Sequence, residues 1–138
     1  MDNEINFRSF KQKDYEITCK WWRWWWKGIV VSEEFLPEHG DGGYMIEKNG
    51  IPVACGFTHR SSNSGLVFLS WVVSNPKYKN KDRKLLIELL IKNIEETCKE
   101  MGYNYLFTVC RSDHLASIHK DLGWYCNEKT SYEIFKKL

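Results

Sequence analysis

The stretch that most restricts the fold runs from residue 65 to residue 102: "GLVFLSWVVSNP", then "KYKNK", then "DRKLLIELLIKNIEETCKEMG". The first part is a long apolar strand ended by Asn75-Pro76, and the second is a basic loop. In the third, Leu85, Leu86, Leu89, Leu90, Ile94, Cys98 and Met101 recur at helical spacing and form one apolar stripe, with Gly102 placed to end the helix. An apolar strand followed directly by a one-sided helix calls for layers, with the helix laid on a sheet.

The flanking sequence extends that pattern. "INFRSF" (5–10) alternates as a half-buried strand does, and "KQKDYEITCKWWRWWWKG" predicts a helix with Asp14 as N-cap and Gly28 as its stop. "VVSEEFLPEHGDGG" predicts a loop with one helical turn, and "YMIEKNGIPVACGFTHR" predicts two strands around Asn49-Gly50, a strong hairpin signal. Beyond the central unit, "YLFTVC" predicts a strand covered on both faces, "HLASIHKDLG" a short helix closed by Gly123, and "TSYEIFKKL" a final alternating strand. The expected order is β-α-loop-β-β-β-α-β-α-β in a single domain over 1–138, an α/β (α+β) fold with helices packed on one sheet.

Composition narrows the function classes. Charged residues make up 28% and hydrophobic residues 43%, an ordinary globular balance, and the net charge of +2 gives no field that calls for nucleic acid or a membrane surface. Lys77 to Lys84 form a short basic run with no stacking platform of known pattern, which argues against a nucleic-acid partner. Five scattered cysteines without a CxxC pair point to reduced thiols in the cytoplasm, and no His/Cys/Asp/Glu spacing points to a metal. "MDNEINFRSF" is not a secretory leader, and no apolar run has the length of a membrane span, so no membrane association is expected.

Two runs carry a family resemblance: "FLSWVVSNPKYKNKDRKLLIELL", a strand, basic loop and helix, and "YLFTVCRSDHLASIHKDLGW", a strand and short helix ending in Gly-aromatic. With the element order, they resemble the GNAT (GCN5-related N-acetyltransferase) superfamily over Phe7 to Phe135, and most of all its small phage- and prophage-encoded relatives. The resemblance implies a mixed, mostly antiparallel sheet whose fourth and fifth strands splay apart, with helices on both faces. It also implies an acetyl-CoA-dependent N-acetyltransferase acting on a primary amine of a small molecule or protein by direct attack in a ternary complex.

On that resemblance the edge formed by Leu69, Trp71, Val72 and Val73 would bind the pantetheine arm of acetyl-CoA. The loop Lys79, Asn80, Lys81, Asp82, Arg83 and Lys84 would meet the pyrophosphate, and Arg111 and Ser112 after the fifth strand would add polar contacts. The loop departs from the family's glycine-rich pattern. Asp82 would either repel a phosphate or cap the helix, while the surrounding cations could replace the glycine-lined cradle; a solvated loop on a scaffold that binds no CoA is the competing reading.

His119 stands where many members place a tyrosine acid, and an imidazole with its ordinary pKa of about 6.5 suits proton donation to a thiolate. The alternative for it is an exposed helix-end histidine. A general base for the amine would come from Ser70 in mid-strand, taken as a catalytic candidate, from His59 at a strand end, also a substrate-binding candidate, or from Glu33, Glu34, Glu38 and His39 in the loop. Spacing singles out none of them; an ordinary strand-end histidine and solvated loop acids are the alternatives. Cys110 on a central strand reads as packing rather than as a nucleophile.

Residues 21 to 26 hold five tryptophans. On a helix, Trp22, Trp25, Trp26 and Ile29 share a face, extended by Ile17 and Trp21, which is wider than a sheet face needs. Part of the cluster is therefore expected as core. The remainder, with Phe35, would line an acceptor pocket in the resembled arrangement, or a homodimer seam. Two function classes stay open: the acetyltransferase, and a catalytically inactive GNAT-fold module that grips a protein partner with its Trp-rich face.

Overall fold

The computed structural model describes residues 4–129 and 132–138, apart from the side chain of His39. Its elements are β1 (Ile5–Ser9), α1 (Tyr15–Trp25), β2 (Gly43–Lys48), β3 (Ile51–Arg60), β4 (Leu66–Ser74), α2 (Arg83–Glu100), β5 (Tyr105–Thr108) and α3 (Asp113–Asp121). Short 3-10 turns at Gln12–Asp14, Glu33–Phe35 and Glu38–Gly40 join them. The five strands form one sheet in sequence order, antiparallel from β1 through β4 and parallel between β4 and β5. This is the mixed, mostly antiparallel α/β fold expected from the sequence. Asn49 and Gly50, both with positive φ, make the tight turn between β2 and β3, as their dipeptide predicts.

Helices cover both faces. On one face α1 places Cys19, Trp21 and Trp22 against Met45, Cys55, Phe57 and Val73. On the other, α2 and α3 bury Leu86, Leu90, Ile94 and Ile118 against Tyr44, Ile46, Ala54, Val67 and Leu69. Burying side chains of this size is worth roughly 1.5–3 kcal/mol each, so the two clusters are what hold the layers together.

Four local expectations are corrected. The buried stripe of α2 includes Ile87 and Ile91, while Leu85 and Met101 are exposed; the inward row shares one core cluster with the sheet and with Ile118 of α3. Ile29 does not share the face of Trp22. The helix ends at Trp25, Lys27 and Gly28 take positive φ, and the Gly28 N–H closes on the Arg23 carbonyl at 3.0 Å, so the helical spacing stops there. Asp14 sits at the N-cap position of α1 but makes no capping bond; it is buried against Arg8 at 2.7 and 3.0 Å and accepts the Lys11 N–H at 2.8 Å. Finally, residues 132–138 form no strand. Glu133 is drawn to Arg111 at 2.6 Å and Phe135 stacks on Phe35, so these side chains meet the cleft wall instead of extending the β5 ladder. Thr130 and Ser131 of that expected strand lie outside the described residues.

Candidate functional site

β4 and β5 pair only over Leu66–Leu69, opposite Tyr105–Thr108, whereas β4 continues to Ser74. Past Leu69 the two strands separate, and a cleft of about 680 Å³ opens along Ser70–Ser74. The opening coincides with a bulge. Phe57 pairs with Ser70 and Cys55 with Val73, so Trp71 and Val72 both face Gly56, and Trp71 takes a φ of +54°.

A bulky residue in that conformation costs on the order of 1–3 kcal/mol and must be held by its neighbours. Phe35 stacks on Trp71 at 6.0 Å, His59 meets its ring edge-on at 5.4 Å, and the Trp22 indole N–H donates to its carbonyl at 3.4 Å. Trp25 donates to the Ser74 carbonyl at 2.7 Å. The tryptophan run therefore divides its work. Trp21 and Trp22 are core, Trp25 and Trp26 form a rim of the cleft, and Trp24 is exposed.

Ser70 and His59 lie on adjacent strands at the cleft wall, with the Ser70 Oγ 3.3 Å from His59 Nδ1. His59 Nε2 lies 2.7 Å from the Phe35 carbonyl. A carbonyl only accepts, so in the neutral ring Nε2 carries the proton and donates it. Nδ1 then presents its lone pair to the Ser70 hydroxyl, which donates. The carbonyl thus sets the tautomer that leaves a basic nitrogen beside Ser70.

At the other end, Asp82 is the N-cap residue of α2, yet its carboxylate makes no capping bond. It accepts from the Tyr78 hydroxyl at 2.8 Å and pairs with Lys48. The Lys48 ammonium and the Tyr78 hydroxyl hold this carboxyl below its ordinary range. Of the two outcomes expected for Asp82, capping does not occur, since the carboxylate makes no bond to the helix N–H groups; its charge is paired with Lys48. Lys48 and Tyr78 were not singled out in the sequence. A lysine 34 residues away, beside a hairpin turn, leaves no local signal of that role.

Among the other candidates, Leu69 is buried, and Trp71, Val72 and Val73 line the cleft with Phe35. So do Arg83, Arg111 and Ser112; Arg83 lies 5.6 Å from the Trp25 ring and Arg111 4.4 Å from that of Trp26. Lys79, Asn80 and Lys81 are exposed on the loop, and Lys84 pairs with Asp121 at 3.0 Å. Trp22 is core and does not line the cleft.

His119 is not the exposed helix-end residue that one alternative expected. It is buried edge-on against Trp124, its Nδ1 is 2.8 Å from the Leu115 carbonyl, and its Nε2 has no partner. Burial lowers its pKa, and it does not line the cleft. Burial also pushes the Cys110 thiol up to about 11, which keeps it protonated at neutral pH. Sequence reasoning missed the tail: Tyr132 to Phe135 line the same cleft. Their alternation was the available signal, and it suggested a strand. Among the described residues, no group of three His, Cys, Asp or Glu side chains could hold a metal ion, and no helix is long and apolar enough to cross a membrane.

No protein-family model matches the sequence, and no curated protein matches it by sequence. Solved structures match by shape. N-acetylglutamate synthase from Neisseria gonorrhoeae, complexed with coenzyme A and N-acetyl-glutamate, aligns with a TM-score of 0.69 at 14% identity over 87% of this chain; the aligned part is 28% of that enzyme. The ribosomal-protein-S18-alanine N-acetyltransferase from Escherichia coli gives 0.68 at 16% identity, covering 87% of this chain and 77% of the enzyme. A GCN5-related N-acetyltransferase from Ralstonia eutropha gives 0.68 at 14% identity over 95% and 99% of the two chains. The splayed β4–β5 pair, the α2 crossover and these alignments agree, and the chain has the fold of the GCN5-related N-acetyltransferases.

Proposed function

We propose that this protein is a single-domain, acetyl-CoA-dependent N-acetyltransferase that moves an acetyl group to a primary amine, with both substrates bound together. The observation that carries the reading is the open edge of β4, bulged at Trp71, running past the Ser70–His59 pair. Acetyl-CoA supplies the activated acetyl thioester. The residues fit it: the unpaired length of β4 offers backbone groups to the amides of a pantetheine arm, as a neighbouring strand would. Asp82, which makes no capping bond, leaves the first turn of α2 to an anion, and Arg83 adds a cation along the cleft, where Arg111 is paired with Glu133.

His59 Nδ1 takes the proton from the acceptor amine, through Ser70 or directly, while the Phe35 carbonyl keeps Nε2 protonated and the ring oriented. Trp26, Phe35 and Trp71 give the acceptor an aromatic wall. In this reading His119 packs α3 and takes no part at the reacting atoms. The five cysteines, all free thiols, support a reducing compartment such as the cytoplasm. Similar folds serve varied amines: one solved neighbour is an aminoglycoside N-acetyltransferase in complex with CoA, another a diaminobutyrate acetyltransferase.

Thermal unfolding with added CoA tests the reading. The midpoint should rise with CoA concentration as the ligand binds the folded state. An unchanged midpoint at high CoA concentration overturns the enzyme and leaves the scaffold.

A further inference from the structure

The tail is the part of the molecule that the proposed reaction does not yet use. Residues 132–138 run without helix, turn or bend and reach the cleft from outside. Two contacts seat them: the Glu133 carboxylate accepts from Arg111 at 2.6 Å, and the Phe135 ring stacks on Phe35 at 6.1 Å with the planes 11° apart. Phe35 in turn stacks on Trp71, so Phe135 is the outer ring of a three-ring column. The same Phe35 supplies the carbonyl that fixes the His59 tautomer. The next two residues are Lys136 and Lys137.

This arrangement is how a peptide acceptor would be presented: an acidic residue clamped by arginine, an aromatic anchor on the wall beside the base, and an amine just beyond. Resting on the acetyltransferase reading, we infer that the protein acetylates its own tail, with the Lys136–Lys137 pair as the acceptor. All of Tyr132 to Phe135 line the cleft, but only Glu133 and Phe135 make the two contacts that seat the tail; in a straight segment side chains alternate, so Lys137 projects on their side and is the preferred member. The step balances. The neutral ε-nitrogen forms a bond to the acetyl carbon and the carbon–sulfur bond breaks. His59 takes up the one proton the nitrogen sheds, and that same proton is passed on to the departing thiolate, so CoA leaves as the thiol and His59 returns to its neutral form.

The full chain should be incubated with acetyl-CoA and followed by intact mass and peptide mapping, in parallel with thermal unfolding in CoA. One acetyl group should appear on the tail, at a first-order rate that does not change on dilution. Lys137→Arg should remove most of the label, Phe135→Ala should slow it at unchanged CoA stabilisation, and His59→Gln should abolish it. If CoA stabilises the fold and the tail stays unlabelled, the inference falls and the acetyltransferase reading stands. Label spread over surface lysines and persisting in His59→Gln is uncatalysed chemistry and overturns the inference as well. A chain that CoA does not stabilise loses both.

Discussion

Asp14 and Asp82 occupy the same formal position, the residue before a helix, and neither caps it. Their surroundings differ. The Asp14 side chain is 2% exposed and held by the Arg8 fork and the Lys11 N–H, and Arg8 is itself braced by Glu47 at 3.1 Å. The Asp82 side chain is 24% exposed and held by a lysine and a tyrosine hydroxyl. The first is a buried ion pair that ties β1, β2 and the start of α1 together. The second is a boundary contact that sets the charge at one end of the cleft. One aspartate serves the fold; the other, in the proposed reading, serves the site.

Removing Asp14 should have the largest effect. Asp14→Ala leaves Arg8 without its main partner in a mostly buried position, which should cost about 3 kcal/mol. At that cost the unfolding midpoint should drop by roughly 10 °C, readable by calorimetry. A drop no larger than that of Asp82→Ala would erase the distinction.

Acid sensitivity sharpens it. Burial alone would raise the Asp14 carboxyl, but Arg8 and the Lys11 N–H outweigh it and hold the group below its ordinary value of 3.8. A folded-state pKa below the unfolded one means that the unfolded chain binds the proton more readily. The contribution is therefore complete above pH 3.8 and is lost as the pH falls through the lower folded-state value. Urea unfolding across pH 2 to 5 should show this acid limb in the native protein and a flatter one in Asp14→Ala.

The smallest stability effect belongs to Asp82→Asn, since ion pairs open to water contribute little. Its effect should appear in binding. Releasing Lys48 and removing the carboxylate makes the start of α2 more cationic, so titration should show CoA binding severalfold tighter and more salt-dependent. Weaker binding would mean that the Tyr78–Asp82–Lys48 contact shapes the loop that the anion needs.

The sequence disclosed what short-range periodicity records. The Asn49-Gly50 turn, the order of the elements and the layering of α2 on the sheet follow from spacings within a few residues. Which row of α2 faces inward did not, because it is set by how the helix lies against the sheet and α3, elements separate from it in the chain. At the site, Ser70 and His59 were each visible as candidates. Their pairing was not, because it depends on the β3–β4 register, which no residue type announces. The tail failed for a related reason: "YEIFKKL" alternates as an edge strand would, and equally as an extended peptide lying on a wall.

Because β4 and β5 run parallel, the chain must cross back between them, and α2 makes that return. Topology, rather than any choice of side chain, thereby brings the amino end of a helix to the same end of the molecule as the carboxyl end of β4, where the sheet has come apart. Residues 75–82 bridge those two ends, outside the ladder that fixes the sheet. Insertions or replacements there can retune the ligand's reach and charge preference while the framework carries on unchanged. A lysine-studded bridge in place of a glycine-lined one is the sort of variation such a division of labour tolerates.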